Sequence, residues 1–198
     1  MASGTAHPGA AGDDAGLVLV QDIDASPAAV WECLTEPACF RSWWRETVEF
    51  EPRLGGHLLE PWTDPDGVEH LTRAEVTAYH PPHGLVMVWA DADWGFDTVV
   101  SVSLEPLADG TRVTIEHQGW QAAPEADRAA LLLDHRNGWS HHLSRLTDHA
   151  HEHDARRKGH RGDLPDAHQC DDARALADDG GGQPRQVAGG RGRHGFSR

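Results

Sequence analysis

The chain has 198 residues, enough for one domain with a remainder, and a formal charge of −15 with histidine neutral. The acid is concentrated in residues 1–154, with 8 Lys/Arg against 26 Asp/Glu, whereas 155–198 carry 9 against 6. Such an acidic body lacks the cations that hold phosphates, so neither nucleic acid nor an anionic membrane surface is an expected partner.

All eight tryptophans lie in the acidic part, and the last 44 residues are rich in Gly, Arg and Asp. Cys33, Cys39 and Cys170 are few, odd in number and form no CxxC, which favours a reducing cytoplasm over a disulfide framework. The N-terminus has no basic start followed by an apolar run, so no signal peptide is expected. Nor is there a run of about 18 apolar residues, the length a transmembrane helix needs.

In chain order, residues 1–15 are small and polar and read as disordered. "LVLVQDID" (17–24) reads as a strand with Leu17, Leu19 and Ile23 on one face. In "SPAAVWECLTEP", Ser26 is a natural helix N-cap and Pro27 a natural first helical residue. Pro37 closes that helix and opens a second short one through "ACFRSWW". Strand-like runs follow at 47–52, 57–62, 70–80, 85–90, 98–107 and 111–118, separated by turn residues. In the run 70–80, Thr72, Ala74, Val76 and Ala78 alternate with Arg73, Glu75, Thr77 and Tyr79. Asp109-Gly110 marks a hairpin, and Gly55-Gly56 a turn or bulge. From Glu125 to about Glu152, Leu132, His135, Trp139, His142, Leu143, Leu146 and Ala150 recur at helical spacing. After about Asp154 that spacing stops, and 155–198 read as a disordered tail or a segment without a selected role. An antiparallel sheet must cover one face, and only the final helix is long enough to do so. The expected fold is therefore α+β: a curved antiparallel sheet gripping a long C-terminal helix, with two short helices after the first strand and a cavity between sheet and helix.

The segments "IDASPAAVWECLTEPACFRSWW", "RLGG", "LEPLADGTRVTIEHQGW" and "GWSHHLSRL" occur in an order that resembles the START/Bet v-like, or SRPBCC, superfamily. The branch they resemble holds single-domain bacterial proteins related to the C-terminal domain of the activator of heat-shock protein 90 ATPase. The resemblance covers about residues 16–152. It implies a helix-grip fold over 16–154 with a pocket for an apolar ligand.

In such a fold Trp43, Trp44, Trp62, Trp89, Trp94, Trp120 and Trp139 are candidates to line the pocket, each against the alternative of ordinary core packing. Trp139 is favoured, because it lies on the sheet-facing side of the helix beside Gly138, where a glycine allows close packing or leaves room. Trp43 and Trp44 point about 100° apart on a helix. One should anchor the short helix and the other lean over the cavity entrance, and the spacing does not say which. Arg73 or Glu75, Asp97, His117, His135 and His142 are the polar candidates. His141, His142, His149, His151 and His153 form a tempting run, and His149 and His153 could share a metal on a helix. Without HExxH, and at a helix end, the run reads as solvated and no metal is expected. Cys33 and Cys39 read as small buried hydrophobes. There is no GxSxG and no Walker or dinucleotide pattern, so no catalytic residue or cofactor is assigned.

The expected protein is soluble and cytoplasmic and binds an apolar or aromatic small molecule, with its oligomeric state open. Two alternatives stand beside this reading. One is an enzyme resembling polyketide cyclases or aromatases, which needs polar groups converging in the pocket. The other is a chaperone-type interaction module, which needs an exposed apolar patch.

Overall fold

A computed structural model describes residues 16–162. The chain runs β1 (Leu17–Ile23), α1 (Pro27–Thr35), α2 (Pro37–Trp43), β2 (Glu49–Phe50), β3 (His57–Thr63), β4 (Glu69–His80), β5 (Gly84–Asp91), β6 (Thr98–Leu107), β7 (Gly110–Gln118), a 3₁₀ turn (Trp120–Ala122) and α3 (Glu125–Gly162). The seven strands form one antiparallel sheet in the order β1-β7-β6-β5-β4-β3-β2. The sheet curves around α3, α1 packs on α3, β6 and β7, and α2 packs on α1 and α3: the α+β helix-grip fold.

The local signals act as their chemistry dictates. Ser26 caps α1, its Oγ accepting from the Ala29 N–H, and Pro27 opens the helix. Pro37 opens α2 directly after it. Period-two burial marks the strands: Leu58 and Glu60 on β3, Thr72, Ala74 and Val76 on β4, and Leu85, Met87, Trp89 and Asp91 along β5 all turn inward. The β2–β3 loop backs onto β4 at Gly55 and Gly56, with the Gly55 N–H donating to Val76 O and the Val76 N–H to Gly56 O, both at 2.8 Å. A Cβ on Gly56 would come within 2.1 Å of Glu51 O, so only glycine fits that approach. The pairing of β4 with β5 shifts between Val76 and Ala78, a bulge at the same place.

On α3, Trp139, Leu143, Leu146 and Ala150 form the buried stripe. Each leucine there contributes on the order of 2 kcal/mol of burial free energy. The helix is longer than its apolar spacing suggests. It continues past Asp154 to Gly162, so residues 155–162 are helical and not part of a tail. The reason is polar: buried Asp154 accepts from Ser26 Oγ at 2.6 Å and pairs with Lys158, while Arg157 pairs with Glu32 on α1. These contacts have no 3.6-residue apolar signature. The expected disorder of 1–15 and 163–198 lies outside the described residues. Among the described residues no helix is long and apolar enough to cross a membrane.

Candidate functional site

The space between sheet and α3 has two unequal parts. Toward α1 and α2 it is nearly filled. Leu34, Phe40, Trp43, Phe50, Met87 and Leu146 are among the side chains around a void of about 30 Å³. That is room for a water by volume, but the wall offers no polar surface to hold one. Trp43 belongs here: it is 3% exposed, donates its Nε1–H to Cys33 O at 2.8 Å, and packs edge-on against Phe40. It is the anchor of the pair.

Toward the first half of α3 the same layer opens into a cavity of about 270 Å³, near the lower end of the range of about 300–1,000 Å³ usual for small-molecule sites. Its walls include Trp44, Trp62, Trp89 and Trp139, with Glu60, Thr72 and Asp91 from three neighbouring strands and His135, Gly138 and His142 from α3. Trp44 is thus the member of the pair that faces the cavity, and its ring stacks on His142 with centroids 3.9 Å apart and planes at 9°. The Arg145 guanidinium donates to Trp44 O at 3.0 Å and fixes the end of α2. A Cβ on Gly138 would meet nothing within 4 Å, so this glycine borders open space and is not required by helix–sheet contact.

Two of the cavity carboxyls are tied to indoles, Glu60 directly and Asp91 through the Thr72 hydroxyl. Trp44 Nε1 donates to Glu60 Oε2 at 2.9 Å, and Arg45 Nε to Glu60 Oε1 at 3.0 Å. Trp62 Nε1 donates to Thr72 Oγ1 at 3.1 Å, and that hydroxyl donates to Asp91 Oδ1 at 2.5 Å. Burial pushes both carboxyls above the ordinary carboxylate range. At Glu60 the Trp44 indole and Arg45 pull the other way, and at Asp91 the Thr72 hydroxyl does. His135 Nδ1–H donates to Leu131 O at 2.9 Å, which leaves Nε2 as the lone-pair nitrogen, and burial pushes its pKa down. His142 is driven down to about 3 by burial, with His141 and two arginines adding to the effect. The buried Trp89 Nε1 and His142 Nδ1 have no hydrogen-bond partner among the described residues.

Six of the eleven sequence candidates therefore line the open cavity: Trp44, Trp62, Trp89, His135, Trp139 and His142. Trp43 lines only the closed void. His117 is fully buried as a structural link. Trp139 Nε1 donates to His117 Nδ1 at 3.1 Å, so His117 Nε2 carries the proton and donates to Thr98 Oγ1 at 2.8 Å, whose hydroxyl donates to Trp89 O. Burial holds the His117 pKa down at about 3, and the link sets the orientation of Trp139. Trp120 donates to His117 O and packs with Trp94 against His135, so both support the wall from behind. Arg73, expected in the pocket, lies instead on the outer sheet face, exposed and 3.4 Å from exposed Asp97, because β4 alternation sends Thr72 inward. Glu75 is on the same outer face. Sequence reasoning missed Glu60, Asp91 and Arg45, and strand alternation from Leu58 and Trp89 held the signal for the two acids.

The fold and this cavity define a helix-grip protein with an indole-walled, carboxyl-bearing space between sheet and helix. The family described as Activator of Hsp90 ATPase homolog 1-like protein matches residues 24–151, and the chain belongs to that family. No curated protein sequence matches the chain. Among solved structures, a protein from Rhizobium leguminosarum is 20% identical with a TM-score of 0.59, covering 70% of this chain and 95% of its own. A protein from Mycobacterium smegmatis is 22% identical with a TM-score of 0.55, covering 69% and 90%. DynU16, a protein in the dynemicin biosynthetic locus, is 21% identical with a TM-score of 0.55, covering 69% of this chain and 47% of its own. These likenesses support the fold.

Proposed function

We propose that the protein binds a small aromatic molecule in the open cavity, with an amine or hydroxyl of that molecule directed at Glu60 and Asp91. The observation that carries this reading is the meeting of four indoles and two desolvated carboxyls at one cavity. Indole faces stack on aromatic rings and attract cations, and the carboxyls accept hydrogen bonds. A purely apolar ligand fits less well, since it would take the remaining solvent from both acids and offer their free lone pairs nothing in return.

The test is quenching of tryptophan fluorescence by two matched probes, naphthylmethylamine and naphthoate. The amine should bind and the acid should not. Equal binding of both, or of neither, would overturn the reading.

A second reading is an enzyme of cyclase or aromatase type. It is favoured by the convergence of Asp91, Glu60 and the lone-pair nitrogen of His135 on one cavity, since displaced pKa values in a cleft mark acid–base chemistry. The location of DynU16 in the dynemicin biosynthetic locus is consistent with it. The interaction-module reading has less support. Charged side chains interrupt the exposed apolar ones at two places, with Val18 opposite Glu116 and Leu59 opposite Arg73.

A further inference from the structure

Away from the cavity, three potential metal ligands from three helices converge, and a fourth, His149, touches one of them. Cys33 lies on α1 and Cys39 on α2, and their sulfurs are 3.2 Å apart. His149 and His153 lie one turn apart on α3. His149 Nε2 is 3.1 Å from Cys39 Sγ. Ligand atoms of Cys33, Cys39 and His153 all lie within 4.8 Å of one another. The histidine run does not read as a solvated helix end here, because both of these rings are half-buried against the cysteine pair.

We propose that Cys33, Cys39, His149 and His153 form a tetrahedral Zn²⁺ site. Two thiolates and two imidazoles are a common donor set of structural zinc. With Zn–S near 2.3 Å, tetrahedral sulfurs stand about 3.8 Å apart, so the observed pair needs to open by roughly half an ångström. The second shell is present as well. His153 Nε2 is 2.9 Å from Glu32 Oε2, leaving Nδ1 for the metal, and a carboxylate on the far nitrogen is the usual partner of a ligating histidine. Arg157 in turn pairs with Glu32.

The charge balance suits a partly buried site. Zn²⁺ displaces one proton from each thiol, and the resulting unit of Zn²⁺, two thiolates and two neutral imidazoles carries no net charge. Thiols packed merely as small hydrophobes would need apolar neighbours; Cys39 instead faces a sulfur on one side and a ring nitrogen on the other. Cys39 is half-buried and Cys33 fully buried, so an ion enters from the α2 side. Bound metal would join α1, α2 and α3 at one point. It would hold the short helix that ends in Trp43 and leads into Trp44 at the cavity wall.

The test uses the full chain, reduced with a phosphine, titrated with Co²⁺ and then Zn²⁺. Wild type should take up one equivalent of Co²⁺ with the strong visible bands of tetrahedral cobalt and near-ultraviolet thiolate-to-cobalt charge transfer, and Zn²⁺ should bleach both. Cys39→Ser should lose the charge-transfer band in large part and bind more than about 100-fold more weakly. His153→Gln should also weaken binding, whereas His141→Gln and His151→Gln should not. Zn²⁺ should raise the Tm of wild type but not of Cys39→Ser. A reduced wild type without a thiolate–cobalt band would overturn the proposal. So would a Zn²⁺-induced Tm shift equal in wild type and Cys39→Ser, the mark of adventitious histidine binding. Failure here would leave the aromatic-ligand reading untouched, because the two sites share no residue.

Discussion

The two parts of the sheet–helix layer differ in one respect that explains the rest. At the α2 side the inward positions are almost all apolar, Trp43 hands its one polar atom to the backbone, and the void shrinks to about 30 Å³. At the α3 side the inward positions of three strands carry Glu60, Thr72 and Asp91, and a glycine replaces a helix side chain, leaving about 270 Å³. Apolar walls close on themselves, because a gap forfeits dispersion contacts with nothing to hold it open. Buried carboxyls keep a space wet or occupied, because closing it would remove their last solvation.

That contrast can be broken by experiment. The largest expected effect is at the closed end, where Trp43→Ala should cost about 3–5 kcal/mol in chemical denaturation. Trp62→Ala, at the half-exposed rim of the cavity, should cost much less. Equal losses would mean that the cavity wall is ordinary core.

Acidification should come next. His117 and His142 stay neutral in the fold down to about pH 3, whereas the unfolded chain protonates near 6.5. The unfolded state then binds more protons, so stability falls as pH drops through that window. The loss is about 2 kcal/mol per histidine between pH 7 and pH 5. A loss of only about 2 kcal/mol over that range would show that one ring is solvated, and a flat stability profile that both are.

Asp91 acts in the opposite sense. Its folded pKa is raised by burial, so its contribution declines as pH rises from the unfolded value through the folded one. Asp91→Asn, which keeps an acceptor for Thr72, should therefore raise the Tm at neutral pH, while weakening naphthylmethylamine binding. A lowered Tm would mean the carboxylate is well solvated. The smallest effect is Gly138→Ala, expected to stabilise by about 0.5–1 kcal/mol because the added methyl meets nothing and helix propensity improves.

Much of this was legible in the chain. Ser26-Pro27 and Pro37 marked the two short helices, the turns separated the strands, and the spacing from Leu132 to Ala150 marked the grip helix. The cavity was legible in part. Alternation along "HLLEPW" and the two-residue step from Trp89 turn Glu60 and Asp91 inward, and alternation along β4 turns Arg73 outward, where its charge stays in water. Trp43 and Trp44 could not be told apart, because their roles depend on where Cys33 O and Glu60 come to lie, and neither is set by local spacing. The Cys39–His149 contact joins residues 110 apart and has no one-dimensional trace. Likewise the last turns of α3 are held by Asp154 and Arg157 contacts with α1, which leave no apolar period.

The claim that the open end is a ligand cavity is tested most directly by plugging it. Gly138→Leu places a side chain into empty space and should leave the Tm unchanged or higher. Naphthylmethylamine affinity, followed by tryptophan quenching, should fall by at least about tenfold relative to wild type. A folded Gly138→Leu protein that binds the amine as tightly as wild type would contradict the account.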